Sequence, residues 1–416
     1  MRTISNLGSR LVAGTALFSA LALGGCQTLL DVEFPGRIPT EQIADPSLAP
    51  VLVRSVVGDF ECAYSNYTGG SSVHSDEYET ANSNVPLANW GERTITPDEN
   101  DYAIGGCDGN FGMNLTLHTA RFQADEVYKK LDGWTDAQVA GRTLLKATAR
   151  AYGAYATLMM GEGFCQVAFD GGDPGPPAAA LARAETQFQE AITLAAGNAD
   201  ILDLARVGLA RTKMDLKKWA DAAQVAGQVT AGYNKNADRG QETARRWNKL
   251  FRLANQVAAY TVAPAYRTMN DPRVLVADAG RGAFNSEVRL WINTKYTSLT
   301  TPIRLASYKE AQLILAEAQA RQGQVAAAQG TVNAYRALYK TATSDPLPAL
   351  TFADQADAIT KIIEERRREL SFEGGHRLND LLRTNTPWKV GSNQFTNRLY
   401  GTTTCWPHPT REINGV

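Results

Sequence analysis

Four glutamates lie close together in one segment near the C-terminus, which reads IIEERRRELSFEGGHRLNDLLR from Ile362 to Arg383. Paired carboxylates are the groups that glycoside hydrolases use as acid and nucleophile or base. Each of these acids, however, has an arginine three or four positions away, which is the spacing of ion pairs on a helix surface. We therefore predict a structural role for the segment. The predicted pairs are Glu364 with Arg368, Glu365 with Arg368, Arg366 with Glu369, and Glu373 with Arg377.

Other catalytic patterns are missing from the chain. It contains no G-x-S-x-G, no H-E-x-x-H, no phosphate-binding loop and no G-x-G-x-x-G. The four histidines are scattered and no two cysteines have C-x-x-C spacing, so the sequence predicts no metal site. Because helical glycosidases carry none of these motifs either, an enzyme is the weaker alternative. We predict a protein without catalytic activity or cofactor.

The stretch 65–109 has a composition suited to binding a sugar. It is rich in Ser, Asn, Gly, Asp and Tyr, and a loop of this length in a compact domain is more often functional than not. Sugars bind to flat apolar rings combined with planar amides and carboxylates. We predict that Trp90 stacks on the ligand while Asp76, Tyr78 and Asn89 orient it, with Trp291 and Tyr296 forming a second wall. The alternative is that Trp90 only attaches the loop to the core.

Helical periodicity predicts a mainly α fold. Helical hairpins are expected at about 46–64, 113–231 and 305–383, and irregular regions at 65–109, 232–304 and 384–416. Small residues recur in 201–229 and 313–340, where they allow close approach of neighbouring helices, so these pairs are similar to tetratricopeptide (TPR) hairpins.

The N-terminus has the pattern of an export signal. Arg2 and Arg10 precede an apolar run that is too short to span a bilayer, and Leu23-Gly24-Gly25-Cys26 is similar to the lipobox of bacterial lipoproteins. This pattern predicts cleavage of residues 1–25 and lipid attachment at Cys26, and Gln27 favours the outer membrane. An ordinary secretory signal with a chance cysteine is the alternative.

Four more cysteines, an even number in an exported chain, predict two disulfides. Counting alone leaves three pairings open. Position favours Cys62 with Cys107, which would close both ends of the long loop, and then Cys165 with Cys405, which would dock the tail. The balance of 42 basic and 43 acidic residues argues against a nucleic-acid partner.

Several segments carry a family resemblance. The segment 362–383 resembles the hallmark segment of the SusD/RagB family of outer-membrane nutrient-binding lipoproteins. PIRLASYKEAQLILAEA (302–318), Met269-Asn-Asp-Pro-Arg-Val274 and the tail CWPHPTREIN (405–414) resemble other segments of that family in the same order. The matching residues of the hallmark segment are Glu365, Arg366, Glu369, Leu370, Phe372, Glu373, Gly374, Arg377, Asp380, Leu381 and Arg383.

The resemblance implies a SusD-like fold, in which TPR-type hairpins form a scaffold and a loop-rich part binds the ligand. It implies a lipid-anchored, surface-exposed outer-membrane protein that passes an oligosaccharide, or in some members a peptide, to a SusC-like TonB-dependent transporter. The chain is shorter than many members and has His408 where Ile is common. A TPR-type envelope scaffold that binds proteins or peptides is the alternative, and a neighbouring gene for such a transporter would distinguish the two.

Overall fold

Helices make up most of the chain that the structure describes. A computed structural model describes residues 44–82, 84–108, 111–195, 197–340 and 344–413. Cys26 and the predicted signal at 1–25 lie outside these ranges. Within them, no helix is both long and apolar enough to cross a bilayer.

The N-terminal half contains eight helices and one strand among the described residues. They are α1 (Ala49–His74), β1 (Tyr78–Thr80), α2 (Val85–Glu92), α3 (Asn100–Ile104), α4 (Asn114–Gly133), α5 (Arg142–Gly163), α6 (Pro177–Leu194), α7 (Ala199–Asp215) and α8 (Trp219–Ala226).

The C-terminal half contains both strands and helices. In chain order they are β2 (Asn234–Ala237), β3 (Tyr260–Val262), α9 (Pro264–Arg267), β4 (Val276–Gly282), β5 (Arg289–Asn293), β6 (Ile303–Ser307), α10 (Tyr308–Arg321), α11 (Val325–Ala337), α12 (Gln355–Glu369), α13 (His376–Thr384) and α14 (Thr410–Ile413). Short 3₁₀ and π-helical turns precede α1 and β3.

Consecutive helices pack against each other through small residues. The consecutive pairs with the most extensive contacts are α4 with α5, α5 with α6, α6 with α7, and α10 with α11. At Gly208 in α7, a Cβ would lie 2.2 Å from the Phe188 ring of α6, so only glycine allows this approach. The predicted mainly α fold of TPR-type hairpins is confirmed.

The prediction of a loop beginning at residue 65 is wrong for its first ten residues, because α1 continues to His74. Gly69-Gly70-Ser71-Ser72 resembles turn sequence, but all four residues are buried. A Cβ at Gly70 would lie 2.3 Å from the Met113 sulfur, so small residues are needed where α1 crosses its neighbours. The rest of 65–109 also contains β1, α2 and α3.

The region 232–304, predicted as irregular, carries most of the strands. The described residues form three two-stranded antiparallel sheets, β1–β3, β2–β6 and β4–β5. The segment Glu287-Val-Arg-Leu-Trp-Ile, in which polar and apolar residues alternate, contains most of β5. The β4–β5 hairpin is irregular between Asp278 and Gly282 and presents its turn, 283–288, beside the end of β1.

Both predicted disulfides are confirmed. Cys62 pairs with Cys107, and Cys165 pairs with Cys405. The second bond lies next to two backbone hydrogen bonds, from Cys165 N to Trp406 O at 2.9 Å and from Trp406 N to Gly163 O at 2.8 Å. The C-terminal tail is therefore attached to the end of α5 both covalently and by backbone pairing.

The ion pairs of α12 are only partly those predicted. Glu364 and Glu365 do contact Arg368, at 3.0 and 3.6 Å. The predicted pairs Arg366–Glu369 and Glu373–Arg377 are wrong. These four residues are buried, and their charges are matched across elements instead of along one helix surface. The observed partners are Asp380 for Arg366, Arg304 for both Glu369 and Glu373, and Asp76 for Arg377.

Candidate functional site

Three of the residues predicted to contact a ligand are buried. Trp90 is 1% exposed and packs edge-to-face on Trp406 with ring centroids 5.3 Å apart. The Tyr78 hydroxyl accepts a hydrogen bond from Asn293 at 2.5 Å, and the Tyr296 hydroxyl donates to the Phe372 carbonyl at 2.9 Å. The prediction that Trp90 and Tyr78 touch ligand is therefore corrected: both belong to the core, the alternative that the sequence left open for Trp90. Tyr296 is 2% exposed and reaches only a separate cavity that Trp90 and Tyr78 do not line.

The other three predicted residues also have partners within the protein. Asp76 forms a two-point pair with Arg377, at 2.7 and 2.6 Å. Burial raises the pKa of Asp76, but the hydrogen bonds and charge of Arg377 outweigh it and hold the pKa below its usual value. Trp291 is half-buried beneath the Arg267 guanidinium. Asn89 is half-buried, and its amide nitrogen donates to Glu99 at 2.8 Å.

A cleft of about 540 Å³ lies between the end of β1, the β4–β5 turn and the C-terminal tail. We call it the hairpin cleft. Its volume falls within the range of small-ligand sites, about 300–1,000 Å³. The residues that line it are Asn82, Ala88, Phe284, Asn285, Phe395, Thr396 and Arg398.

Backbone pairing holds the β4–β5 wall of the cleft in place. Phe284 N donates to Ala258 O at 2.8 Å, and Asn285 N donates to Ala81 O at 2.9 Å. The Asn82 side chain donates to Ala259 O at 2.9 Å, and it accepts from the Asn84 backbone at 2.7 Å. The Phe284 ring takes no part in these bonds and is 63% exposed.

The wall of the cleft that the C-terminal tail forms is a closed turn. Asn393 N donates to Arg398 O and Asn397 N donates to Asn393 O, both at 2.8 Å. One side of the Phe395 ring packs against the small apolar cluster under the β4–β5 hairpin, which includes Ala81 and Leu290. The rest of the ring lines the cleft.

Arg398 is the charged group of the cleft. Its Nε lies 3.1 Å from the buried Glu92 carboxylate, which also accepts a hydrogen bond from Thr396. Its Nη2 donates to Asn89 Oδ1 at 3.1 Å. Asn89 therefore positions Arg398 without lining the cleft. A guanidinium has five N–H groups, so donors remain for a ligand. The cleft combines two phenyl rings with amide and guanidinium groups.

The lining residues Phe284, Asn285, Phe395, Thr396 and Arg398 were not predicted from the sequence. Each lies in a short polar stretch with one aromatic residue, Ala283-Phe-Asn-Ser286 and Asn393-Gln-Phe-Thr-Asn-Arg398. A phenylalanine flanked by amide and hydroxyl residues was the signal available in the sequence. Among the described residues, no group of three or more His, Cys, Asp or Glu side chains could hold a metal ion.

His74 is the last residue of α1 and is buried. Its Nδ1 is 3.1 Å from the Trp90 carbonyl oxygen, and its ring centroid is 4.9 Å from that of Trp406. Burial lowers the pKa of His74 to about 4. Since the folded pKa is below the unfolded value of about 6.5, the unfolded chain takes up the proton first as the pH falls. His74 therefore costs stability progressively from about pH 6.5 down to about pH 4.

We predict that His74→Gln destabilises the protein less at low pH than at neutral pH. The loss in unfolding free energy relative to the wild type, measured near pH 7.5, should shrink by about 2 kcal/mol at pH 5, because the glutamine takes up no proton. Denaturant unfolding of both proteins at the two pH values measures this difference. An equal loss at both would show that buried His74 does not stay neutral.

The fold and the cleft define a helical, TPR-like scaffold with a ligand-sized cleft in its strand-containing, loop-rich part. Residues 288–411 match the model of the SusD family. No curated protein sequence matches the chain. The match to the family model and the shared fold confirm the predicted resemblance to the SusD/RagB family.

Solved structures share this fold across most of the chain. A SusD homolog from Bacteroides thetaiotaomicron has a TM-score of 0.68 at 14% identity, covering 91% of this chain and 97% of its own. A SusD-like carbohydrate binding protein from Bacteroides vulgatus has a TM-score of 0.62 at 16% identity, covering 82% and 83%. Surface glycan-binding protein A from Bacteroides thetaiotaomicron, in complex with laminarihexaose, has a TM-score of 0.57 at 14% identity, covering 87% and 97%. Identities this low establish the likeness of fold only.

Proposed function

We propose that this protein captures an oligosaccharide in the hairpin cleft. The observation that carries the proposal is the pair of phenyl rings, Phe284 and Phe395, that face one cleft together with Arg398 and two asparagines. Sugar rings present C–H faces that pack on aromatic rings and hydroxyls that bond to amide and guanidinium groups. A protein of the same fold binds laminarihexaose, which supports a glucan-type ligand.

The cleft is rigid enough to bind without a large ordering cost. Its walls are attached through backbone hydrogen bonds, and the tail that carries Phe395 and Arg398 is also tied by the Cys165–Cys405 bond. Immobilising a free side chain on binding costs about 0.5–1.5 kcal/mol, and a pre-ordered wall avoids much of this cost. The role proposed here is binding without catalysis.

The delivery step completes the proposal. The bound glycan would pass to a SusC-like TonB-dependent transporter, and the protein would be held at the outer membrane by lipid on Cys26. These parts rest on the family resemblance and on the lipobox pattern. Intact-mass analysis of membrane-derived protein should show an acylated chain that begins at Cys26, and a TonB-dependent barrel should co-purify with it. A soluble, unacylated chain without a barrel would contradict both.

We predict that Phe284→Ala weakens oligosaccharide binding by about ten- to a hundredfold, which corresponds to about 1–3 kcal/mol of lost ring contact. Isothermal titration of the purified protein with laminarihexaose, other neutral oligosaccharides and a peptide gives the affinities. The melting temperature should change little, because the ring is mostly exposed.

Phe122→Ala is the matched control, since that phenyl ring on α4 is 48% exposed and does not line the cleft. It should leave the affinity unchanged. Equal affinities for wild type and Phe284→Ala would show that the oligosaccharide binds elsewhere. Binding of the peptide alone would favour the alternative, a scaffold that binds proteins or peptides.

A further inference from the structure

A second cavity, of about 300 Å³, lies where β6 runs into α10 and the end of α12 closes against it. We call it the basic pocket. Its rim is exposed and mostly apolar, with Pro272, Leu275 and Pro302, and its floor contains buried acids. The full lining is Asn236, Pro272, Arg273, Leu275, Lys295, Tyr296, Pro302, Arg304, Lys309, Tyr339, Glu369 and Glu373.

Three of the four cations that line the basic pocket are neutralised by protein carboxylates. Lys295 pairs with Glu373 at 2.9 Å. Arg304 joins Glu373 at 2.8 Å and Glu369 at 2.9 Å. Arg273 is held by Asp271 at 2.6 Å and Glu365 at 2.7 Å, both outside the lining.

Lys309 is the exception. Its ammonium group sits 3.8 Å from the centre of the Tyr339 ring, and no described carboxylate lies within the 4.0 Å of an ion pair. Glu369 is near enough to attract it electrostatically, but its oxygens are already bonded to Arg304, Tyr335 and Tyr339. Half-burial lowers the pKa of Lys309. The pocket thus contains one cation whose ammonium group forms no ion pair with a carboxylate of the described residues.

We propose that the basic pocket is a second ligand site, which binds the carboxylate of an acidic sugar such as a hexuronic acid. The ligand carboxylate would pair with Lys309 in a charge-assisted hydrogen bond, the stronger kind of polar contact. The exposed Asn236 amide at the rim would bond to a hydroxyl, and the Tyr339 ring with the apolar rim would cover a C–H face. A cavity of this size is at the small end of ligand sites and suits one sugar ring.

The basic pocket is separate from the hairpin cleft. Leu275 stands just before β4 and Phe284 just after it, so the two sites lie at opposite ends of the β4–β5 hairpin. The paired part of the hairpin between them, Arg289–Asn293 on β5, is about 13 Å long at about 3.3 Å per residue. The proposal takes its class of ligand, a sugar, from the proposed function. It adds an acidic sugar to the ligands that the protein captures.

The test is isothermal titration of the purified wild-type protein with glucuronate, glucose and acetate. Glucuronate should bind at least tenfold more tightly than either of the others. Lys309→Met, which keeps the length of the side chain, should weaken glucuronate binding at least tenfold, and Lys309→Arg should restore most of it. The control, Lys361→Met, removes a lysine that pairs with Asp357 on the surface of α12 and should leave the affinity unchanged.

Three results would overturn the proposal: no binding of glucuronate, equal binding to wild type and Lys309→Met, or acetate binding as tightly as glucuronate. A thermal melt of each variant confirms that it is folded. Neutral oligosaccharide binding, measured on the same samples, separates the two proposals. If the neutral ligand binds and glucuronate does not, only the proposal for the basic pocket is wrong. If glucuronate binds and Phe284→Ala leaves the binding of the neutral oligosaccharide unchanged, only the proposal for the hairpin cleft is wrong.

Discussion

Trp90→Ala is expected to lower the free energy of unfolding by about 3–5 kcal/mol, the range for removing a large buried aromatic side chain. Trp90 is 1% exposed and contacts Trp406 edge-to-face. Its removal would leave a cavity between α2 and the docked tail. Because the side chain does not line the hairpin cleft, the molecules that remain folded should keep most of their affinity for ligand.

Chemical denaturation of the wild type and Trp90→Ala measures the first effect, and titration with oligosaccharide below the melting temperature measures the second. Trp291→Ala is the control, since that ring is only half-buried and should cost less stability. Unchanged stability together with much weaker ligand binding in this variant would show that Trp90 contacts the ligand.

Replacing both Cys165 and Cys405 by alanine is expected to cost about 5.5 kcal/mol of stability. The bond joins residues 240 positions apart, so cutting it frees a very long loop in the unfolded chain. The tail that it fixes carries Phe395 and Arg398, so oligosaccharide affinity should fall as well. Urea unfolding and calorimetric titration of the same preparation measure the two effects.

The comparison is the Cys62/Cys107 double alanine variant. Its loop spans 45 positions, so it should lose less stability, about 4 kcal/mol, and it does not hold the tail. If the Cys165/Cys405 variant binds as tightly as the wild type, the backbone hydrogen bonds alone are enough to order the tail.

The scaffold could be predicted from the sequence because its signals are local. Apolar periodicity and small residues identify the hairpins, and the segment from Ile362 to Arg383 carries the family resemblance. The positions of the cysteines gave the pairing that the structure confirms. The error at 65–74 arose because Gly69-Gly70-Ser71-Ser72 is typical of a turn, whereas here close packing against Met113 requires small residues.

The site could not be predicted in the same way, because it depends on contacts between distant segments. Trp90 and Tyr78 have residue types that suit a ligand site, and only tertiary packing shows that they are buried. Phe284 and Phe395 are 111 positions apart, and they come together because the tail returns to the β4–β5 turn. The predicted pairs Arg366–Glu369 and Glu373–Arg377 were wrong for a related reason: helical spacing predicts partners only where one face is open to solvent.

The most direct test of the central claim is a crystal structure of the protein in complex with the oligosaccharide that binds most tightly in the titrations. We predict a sugar ring packed on Phe284 and Phe395 in the hairpin cleft, with a hydroxyl hydrogen-bonded to Arg398. Ligand bound elsewhere, with the hairpin cleft empty at saturating concentration, would contradict the account.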